Sequence, residues 1–174
     1  MFLSVKQLEI RKIEFDESFE PGTIDFSGAD VRQVTPLVAQ GVARLLPNTG
    51  GQIRIEGSFQ VDLATECDRC LGPADFHLKD RYDLFYHPSE DEPASDEVEI
   101  DAGGAEIAFY EGDGLELADV IKEQVLLSLP MQRVCRDDCR GICPVCGSNR
   151  NEVPCHCEVK PADDRWGALR NIRL

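Results

Sequence analysis

The sequence has no long run of apolar residues, although 42% of its 174 residues are hydrophobic. A transmembrane helix needs about 20 consecutive apolar residues, so the sequence predicts no membrane span. The first residues, MFLSVKQLEIRK, also lack the basic segment and long apolar stretch that are typical of a secretory signal. We therefore expect a globular protein of the cytoplasm.

Familiar catalytic signatures are missing as well. The chain contains no HExxH, no GxSxG and no phosphate-binding P-loop. Zinc deaminases combine a His-x-Glu pair with a PCxxC motif, whereas this chain has Pro154-Cys155-His156-Cys157 and no His-x-Glu. These absences favour a protein without enzymatic activity.

Positive charge is scarce and unevenly distributed. The formal net charge is −15, and residues 1–130 hold 10 Lys and Arg against 27 Asp and Glu, whereas residues 131–174 hold 8 against 6. Between Pro88 and Asp119 there are 12 carboxylates and no Lys or Arg. We expect residues 88–105 to form a flexible acidic loop. Broad binding to nucleic acid needs many cations, so the acidic part favours a basic partner.

Alternating apolar residues predict two long strands. Residues 53–63 and 76–86 each place apolar side chains at every second position, which is the period of a strand with one buried face. The segment ECDRCLGP between them predicts a turn. Cys67 and Cys70 should therefore lie at the tip of an antiparallel hairpin.

Other segments extend this pattern. PLVAQGVARLLPNTGG predicts a further strand with a Gly-rich turn, and residues 4–15 predict another strand. Asp113 resembles the N-cap of a helix, with Glu116 completing a capping box, and the helix should end before Pro130. PADDRWGALRNIRL predicts a short C-terminal helix. The apolar residues of the first helix recur every four positions, so it should pack on the sheet: Leu117, Ile121, Val125 and Leu129.

Cysteine is abundant, and six of the eight cysteines lie within 23 residues. In a reducing compartment, such a cluster indicates metal binding or redox chemistry before disulfides. Cys143-Pro-Val-Cys146-Gly147 has the form of a zinc knuckle, in which the glycine permits a left-handed turn that directs N–H groups at the sulfurs. The segment CDRCLG, with Cys67 and Cys70, is a looser version of the same motif.

Zinc commonly takes four ligands, so eight cysteines predict two sites. One predicted set is Cys143, Cys146, Cys155 and Cys157, and the second is Cys67, Cys70, Cys135 and Cys139. In the second set, the pair at the hairpin tip could instead be free thiols, or only one of the later two could be a ligand. His156 could also replace a cysteine. Iron–sulfur binding uses four thiolates too, but the knuckle form favours a single zinc ion in a closed, structural site.

These elements predict an α+β fold in two parts. Residues 1–130 would form an acidic antiparallel β-meander with one packed helix. Residues 131–174 would form a small zinc-binding tail that ends in the short helix. The second metal site would tie this tail to the hairpin.

The cysteine pattern resembles that of a known family. The segment CRGICPVCGSNRNEVPCHC, the CDRCLG turn and the helix ending at Leu129-Pro130 are together similar to the YceD family, over about residues 35–174. These bacterial and plastid proteins are associated with accumulation of large-subunit (23S) ribosomal RNA. The resemblance implies a role in large-subunit biogenesis without a known enzymatic activity.

We therefore expect a non-catalytic factor for accumulation or assembly of the large ribosomal subunit, with no small-molecule substrate. It would bind a basic ribosomal protein, or ribosomal RNA through the arginines of the tail. Two alternatives stay open: a redox-responsive zinc-thiolate protein, and an RNA-processing enzyme that the acidic stretch alone supports. The seven tail arginines are Arg133, Arg136, Arg140, Arg150, Arg165, Arg170 and Arg173.

Overall fold

The computed structural model describes residues 1–89 and 107–157. Most of the predicted acidic loop and the predicted C-terminal helix lie outside these ranges. None of the described helices is long and apolar enough to cross a membrane. The described strands are β1 (Phe2–Ser4), β2 (Ile13–Phe19), β3 (Arg32–Gln33), β4 (Leu37–Leu45), β5 (Ile53–Glu66), β6 (Pro73–Pro88), β7 (Ile107–Tyr110) and β8 (Gly114–Glu116), and the α-helices are α1 (Val5–Ile10) and α2 (Leu117–Leu127).

Six of the described strands form the main sheet, in the order β2-β4-β5-β6-β7 with β3 beside β5. The predicted hairpin is confirmed, because β5 and β6 pair antiparallel from Ile53 opposite Tyr86 to Glu66 opposite Pro73. The strand predicted upstream is confirmed as β4, which pairs antiparallel with β5. One face of the sheet contributes alternate residues of these strands to the main core, and α2 contributes to the same core.

The strand predicted over residues 4–15 is wrong in its first half. Val5–Ile10 forms α1, and β2 begins only at Ile13. Leu8 is 5% exposed whereas Ile10 is 84% exposed, so burial does not follow the period of two that a strand requires. The short turn of helix lets Leu8 reach the same core as Leu3.

The start of the core helix also differs from the prediction. Asp113 is not the N-cap, because Gly114–Glu116 forms β8 and pairs with β1 in a separate two-stranded sheet. The helix begins at Leu117, and Glu116 takes the N-cap position without a side-chain hydrogen bond. The backbone N–H of Leu117 instead donates to the carbonyl oxygen of Met1 at 2.9 Å. Backbone pairing with β1 thus replaces the predicted capping box.

The packing face of this helix is as predicted. Leu117, Ile121 and Val125 are buried in the core, and Leu129 packs against its edge.

The prediction of a purely antiparallel meander is wrong at one edge of the sheet, where β7 pairs parallel to β6. The apolar residues of β7 indicate a strand but not its direction, because the connection between two strands decides whether they pair parallel.

Two glycines lie side by side in the middle of the sheet. Gly41 of β4 faces Gly57 of β5, with Phe15 of β2 on one side and Tyr82 of β6 on the other. A Cβ atom at Gly57 would lie 2.5 Å from the Tyr82 hydroxyl oxygen and 2.5 Å from the Gln40 carbonyl oxygen. The two aromatic rings therefore occupy the space that side chains at these positions would need.

Substitution Gly57→Ala should destabilise the fold by about 1–3 kcal/mol, the usual result of overfilling a packed site. Denaturant unfolding followed by circular dichroism measures this change. Gly28→Ala is the matched control, since no atom lies within 4 Å of its added Cβ, and we expect a change within about 0.5 kcal/mol. Equal stability of the two variants would contradict the packing argument.

Candidate metal centres

The described residues contain two groups of four cysteines. Cys67 and Cys70 occupy the turn between β5 and β6, and their thiols meet those of Cys135 and Cys139, which follow α2 in the chain. We call these four the hairpin-tip centre. The tail centre consists of Cys143, Cys146, Cys155 and Cys157.

Backbone hydrogen bonds dock the tail on the hairpin tip. The N–H of Asp68 donates to the Arg133 carbonyl oxygen at 2.7 Å, and the N–H of Arg133 donates to the Asp68 carboxylate at 2.6 Å. Further on, the N–H of Ile142 donates to the carbonyl oxygen of Arg69 at 2.9 Å. The tail thus contacts the turn on both sides of Cys135 and Cys139.

Both CxxC motifs fold as the same knuckle. In the tail, the N–H of Gly147 donates to the Cys143 carbonyl oxygen at 2.8 Å, and at the hairpin tip the N–H of Leu71 donates to the Cys67 carbonyl oxygen at 2.9 Å. Gly147 has φ of 72° and Leu71 has φ of 58°, so both are left-handed. Glycine adopts this conformation without strain, whereas leucine does not.

The sulfur positions fit a four-coordinate ion. Within each centre, all four sulfurs lie within 4.8 Å of one another. Two pairs in the hairpin-tip centre are closer, with 3.8 Å between Cys67 and Cys139 and 3.7 Å between Cys70 and Cys135. A tetrahedral zinc ion with Zn–S bonds of about 2.3 Å sets its sulfurs about 3.8 Å apart. A disulfide would need about 2.05 Å.

Hydrogen-bond donors surround the sulfurs of the hairpin-tip centre. Burial acts to raise the pKa of the Cys67 thiol, but the backbone N–H groups of Cys135, Cys70 and Arg69 lower that pKa to about 6. Desolvation of its sulfur and the neighbouring thiols raise the pKa of Cys135 to about 12. Some of these sulfurs are therefore thiolates at neutral pH and others keep their protons, because four adjacent negative charges repel each other.

The tail centre has the same division. Hydrogen bonds from the hydroxyl group and the backbone N–H of Ser148 lower the pKa of Cys146 to about 6. The hydroxyl oxygen of Ser148 lies 3.0 Å from the sulfur of Cys146. The neighbouring Cys146 sulfur raises the pKa of Cys157 to about 12, with desolvation acting in the same direction. A divalent cation would compensate the charge of the remaining thiolates.

The two centres differ in burial. Cys67, Cys70 and Cys139 are buried in a small cluster with Ala74, separate from the main core. In the tail centre, Cys143 is buried, Cys155 and Cys157 are half-buried, and Cys146 is exposed. The hairpin-tip centre is thus the more buried of the two, although each centre has one exposed cysteine, Cys135 in the first and Cys146 in the second.

The structure brings the cysteines together in the two groups of four that the sequence predicts. His156 is exposed and belongs to neither group. Sequence reasoning missed three residues that shape the centres: the left-handed Leu71, Ser148 beside Cys146, and Asn151 beside Cys139. The asparagines of the GSNRNEV segment were the only sequence signal for the last of these.

Comparison with known proteins identifies the family. The profile described as "Large ribosomal RNA subunit accumulation protein YceD" matches residues 55–173. The chain belongs to the YceD family. The matched range contains all eight cysteines and β6, β7, β8 and α2.

Individual relatives are distant. The chain is 28% identical to the maize protein "Large ribosomal RNA subunit accumulation protein YCED homolog 1, chloroplastic", over 80% of this chain and 53% of the maize protein. It is 24% identical to the uncharacterised YlbN protein of Bacillus subtilis, over 95% and 91%. It is 30% identical to an uncharacterised protein of Mycobacterium bovis, over 67% and 54%. The chain thus spans about half the length of the maize and mycobacterial relatives. No solved structure matches it significantly.

Exchange of the left-handed residues tests the knuckle geometry. Gly147→Ala forces a Cβ into the left-handed region, which costs about 1–2 kcal/mol and should weaken binding of a metal ion, tested with zinc, at the tail centre about 5- to 30-fold. The added Cβ has no neighbour within 4 Å, so backbone strain alone is measured. Chelator competition gives the affinity.

Leu71→Gly is the converse variant at the hairpin tip. Leu71 is 61% exposed, so its removal loses little buried surface while it relieves the strain. We expect the affinity of the hairpin-tip centre for a metal ion, again tested with zinc, to be unchanged or higher. Unchanged affinity in Gly147→Ala together with a clear loss in Leu71→Gly would contradict the shared geometry.

Proposed function

We propose that this protein is a non-catalytic factor that supports accumulation of large-subunit ribosomal RNA, and that two zinc ions fix its tail to its sheet. The observation that carries this proposal is the convergence of two complete groups of four sulfurs in a chain of the YceD family. A maize relative bears the large-subunit accumulation name, which supports the same role here.

The donor sets support zinc in a structural role. Each centre offers four thiols, and N–H groups of neighbouring residues donate to the sulfurs. Such closed sets leave no ligand position for a substrate. When bound, zinc would supply a crosslink between segments that are distant in the sequence. This is the basis for proposing a protein without enzymatic activity.

The distribution of charge supports a basic protein of the large subunit as the partner. Asp16 and Glu17 on β2 and Glu20 just beyond it have no ion-pair partner among the described residues. By contrast, Arg133 donates to the Ala29 carbonyl oxygen at 2.6 Å, and Arg136 contacts Asp138 and Asn151. Two of the tail arginines are therefore occupied within the protein, which leaves fewer for phosphates.

Elemental analysis of the purified protein should give two zinc ions per chain. Cys143→Ser and Cys70→Ser should each reduce this to about one, since a zinc site with three thiolates binds far more weakly. Loss of the tail zinc should leave the main sheet folded, as circular dichroism would show. A chain without zinc, or one that carries iron and sulfide, would contradict the metal assignment.

A redox-responsive role is the second candidate, favoured by the exposure of Cys135 and Cys146. Exposed thiolates can be oxidised with release of the metal. The same zinc measurement after peroxide treatment distinguishes the two roles. Reversible zinc loss with a gain in client binding supports the redox role, whereas retained zinc excludes it.

Salt-dependent binding distinguishes the two kinds of partner. The full chain should bind a basic large-subunit protein, and added salt should weaken that binding because screening reduces complementary electrostatics. A variant with Asp16→Asn and Glu20→Gln, two exposed positions, should bind about tenfold more weakly. The control variant Arg140→Gln with Arg150→Gln should bind the basic protein normally. Tight binding to fragments of large-subunit RNA, lost in the arginine variant, would contradict the acidic-surface proposal.

A further inference from the structure

Asn151 belongs to one metal centre by sequence and contacts the other. It lies in the loop between Cys146 and Cys155, two cysteines of the tail centre. Its side-chain amide nevertheless donates to the sulfur of Cys139 in the hairpin-tip centre, with 3.3 Å between nitrogen and sulfur.

The orientation of this amide is fixed by its other contacts. The side-chain oxygen of Asn151 accepts from the backbone N–H of Arg140 at 2.9 Å and from the Arg136 guanidinium at 3.0 Å. The Nδ2 group therefore faces Cys139 and donates also to the side-chain oxygen of Asn149 at 2.9 Å. Both partners of the Asn151 side-chain oxygen are donors, and both partners of its Nδ2 group are acceptors. The amide therefore has one preferred orientation, in which Nδ2 faces the sulfur of Cys139.

The loop that carries Asn151 is also joined to the hairpin tip through the backbone. Arg150 donates from its N–H to the Gly141 carbonyl oxygen at 2.9 Å, and Ile142 donates to the Arg69 carbonyl oxygen at 2.9 Å. Gly141, with φ of 68°, passes so close to Arg69 that a Cβ would lie 2.8 Å from the Arg69 carbonyl oxygen. Closing the tail centre thus sets the position of a donor on the neighbouring centre.

We propose that the two centres bind zinc with positive cooperativity and that Asn151 is the positioning residue that couples them. This inference rests on the proposed function, because it requires both centres to hold zinc. Zinc in the tail centre orders the loop between Cys146 and Cys155, and the ordered Asn151 stabilises the Cys139 thiolate. By linkage, zinc in the hairpin-tip centre favours the closed tail centre by the same factor.

The size of the effect follows from the contact. A hydrogen bond to a charged acceptor corresponds to roughly 10- to 100-fold in an equilibrium constant. Measured coupling between two binding sites commonly spans about 5- to 150-fold. We therefore expect the first zinc ion to raise affinity for the second by at least about tenfold.

The experiment compares one protein that has both centres with two that have one each. Cys67→Ser with Cys70→Ser leaves the tail centre, and Cys143→Ser with Cys146→Ser leaves the hairpin-tip centre. Chelator competition with zinc gives one binding constant for each single-centre chain and an overall constant for the full chain. The coupling factor is the overall constant divided by the product of the two single constants. Native mass spectrometry gives the populations with zero, one and two ions.

The same set is then repeated with Asn151 altered. Asn151→Asp retains the oxygen that accepts from Arg140 but removes the N–H that faces Cys139, and Asn151→Ala removes both groups without adding charge. Gln132→Glu is the matched control, because it makes the same amide-to-carboxylate change in the tail, retains the oxygen that accepts from Arg69 and has no hydrogen bond to Asn151 among the described residues. The coupling factor should fall about tenfold in both Asn151 variants and persist in Gln132→Glu. Circular dichroism checks that each variant is folded.

Three outcomes would overturn the proposal in different ways. A coupling factor near one in the unaltered protein means that the centres load independently, while the zinc role stands. If the coupling factor is unchanged in both Asn151 variants, Asn151 does not couple the centres. The hydrogen bond between the Ile142 N–H and the Arg69 carbonyl oxygen would then carry the coupling. A chain that binds no zinc at all contradicts the proposed function itself.

Discussion

The convergence of four thiols at the tip of the long hairpin is the constraint on which the rest of this structure depends. Cys67 and Cys70 come from the turn of a 14-residue and a 16-residue strand, and Cys135 and Cys139 come from beyond α2. If all four thiols lost their protons without a cation nearby, the four negative charges would repel each other, and burial of Cys67, Cys70 and Cys139 strengthens that repulsion. A bound cation turns this repulsion into attraction, so the same geometry either resists or enforces docking of the tail, depending on the metal.

The sequence predicts this site better than it predicts the fold around it. Ligand spacing is local and the count of eight cysteines limits the pairing, so both groups of four followed from the residues. The direction of β7 and the pairing of β1 with β8 are set by contacts between distant segments. Residues 4–10 have no periodicity that separates a short helix from a strand. The sequence does not reveal the contact of Asn151 with Cys139. That contact forms only because the loop between Cys146 and Cys155 folds back on the hairpin-tip centre.

The acidic residues of β2 and the cysteine groups lie in different parts of the molecule. These acidic residues lie at the edge of the sheet, and Arg133 and Arg136 lie in the segment that carries Cys135 and Cys139. Where the tail meets the hairpin tip, the backbone N–H of Arg133 donates a hydrogen bond to the carboxylate of Asp68. Each four-thiolate zinc site would carry a net charge of about −2, which a nearby arginine would partly compensate. Arg133 and Arg136 thus make contacts within the protein. This agrees with the proposal that the acidic surface, and not the arginines, binds the partner.

The described tail has little else to hold it in place. Met131, Ile142, Val145 and Val153 are exposed, so the hydrophobic effect that orders the main core contributes little here. The backbone hydrogen bonds to Asp68 and Arg69 each contribute only about 0.5–1.5 kcal/mol, which is comparable with the entropy of ordering a single residue. Structural zinc sites in small peptides contribute about 10–16 kcal/mol. If zinc fills the centres as proposed, this difference in magnitude means that the metal would contribute most to the position of the tail.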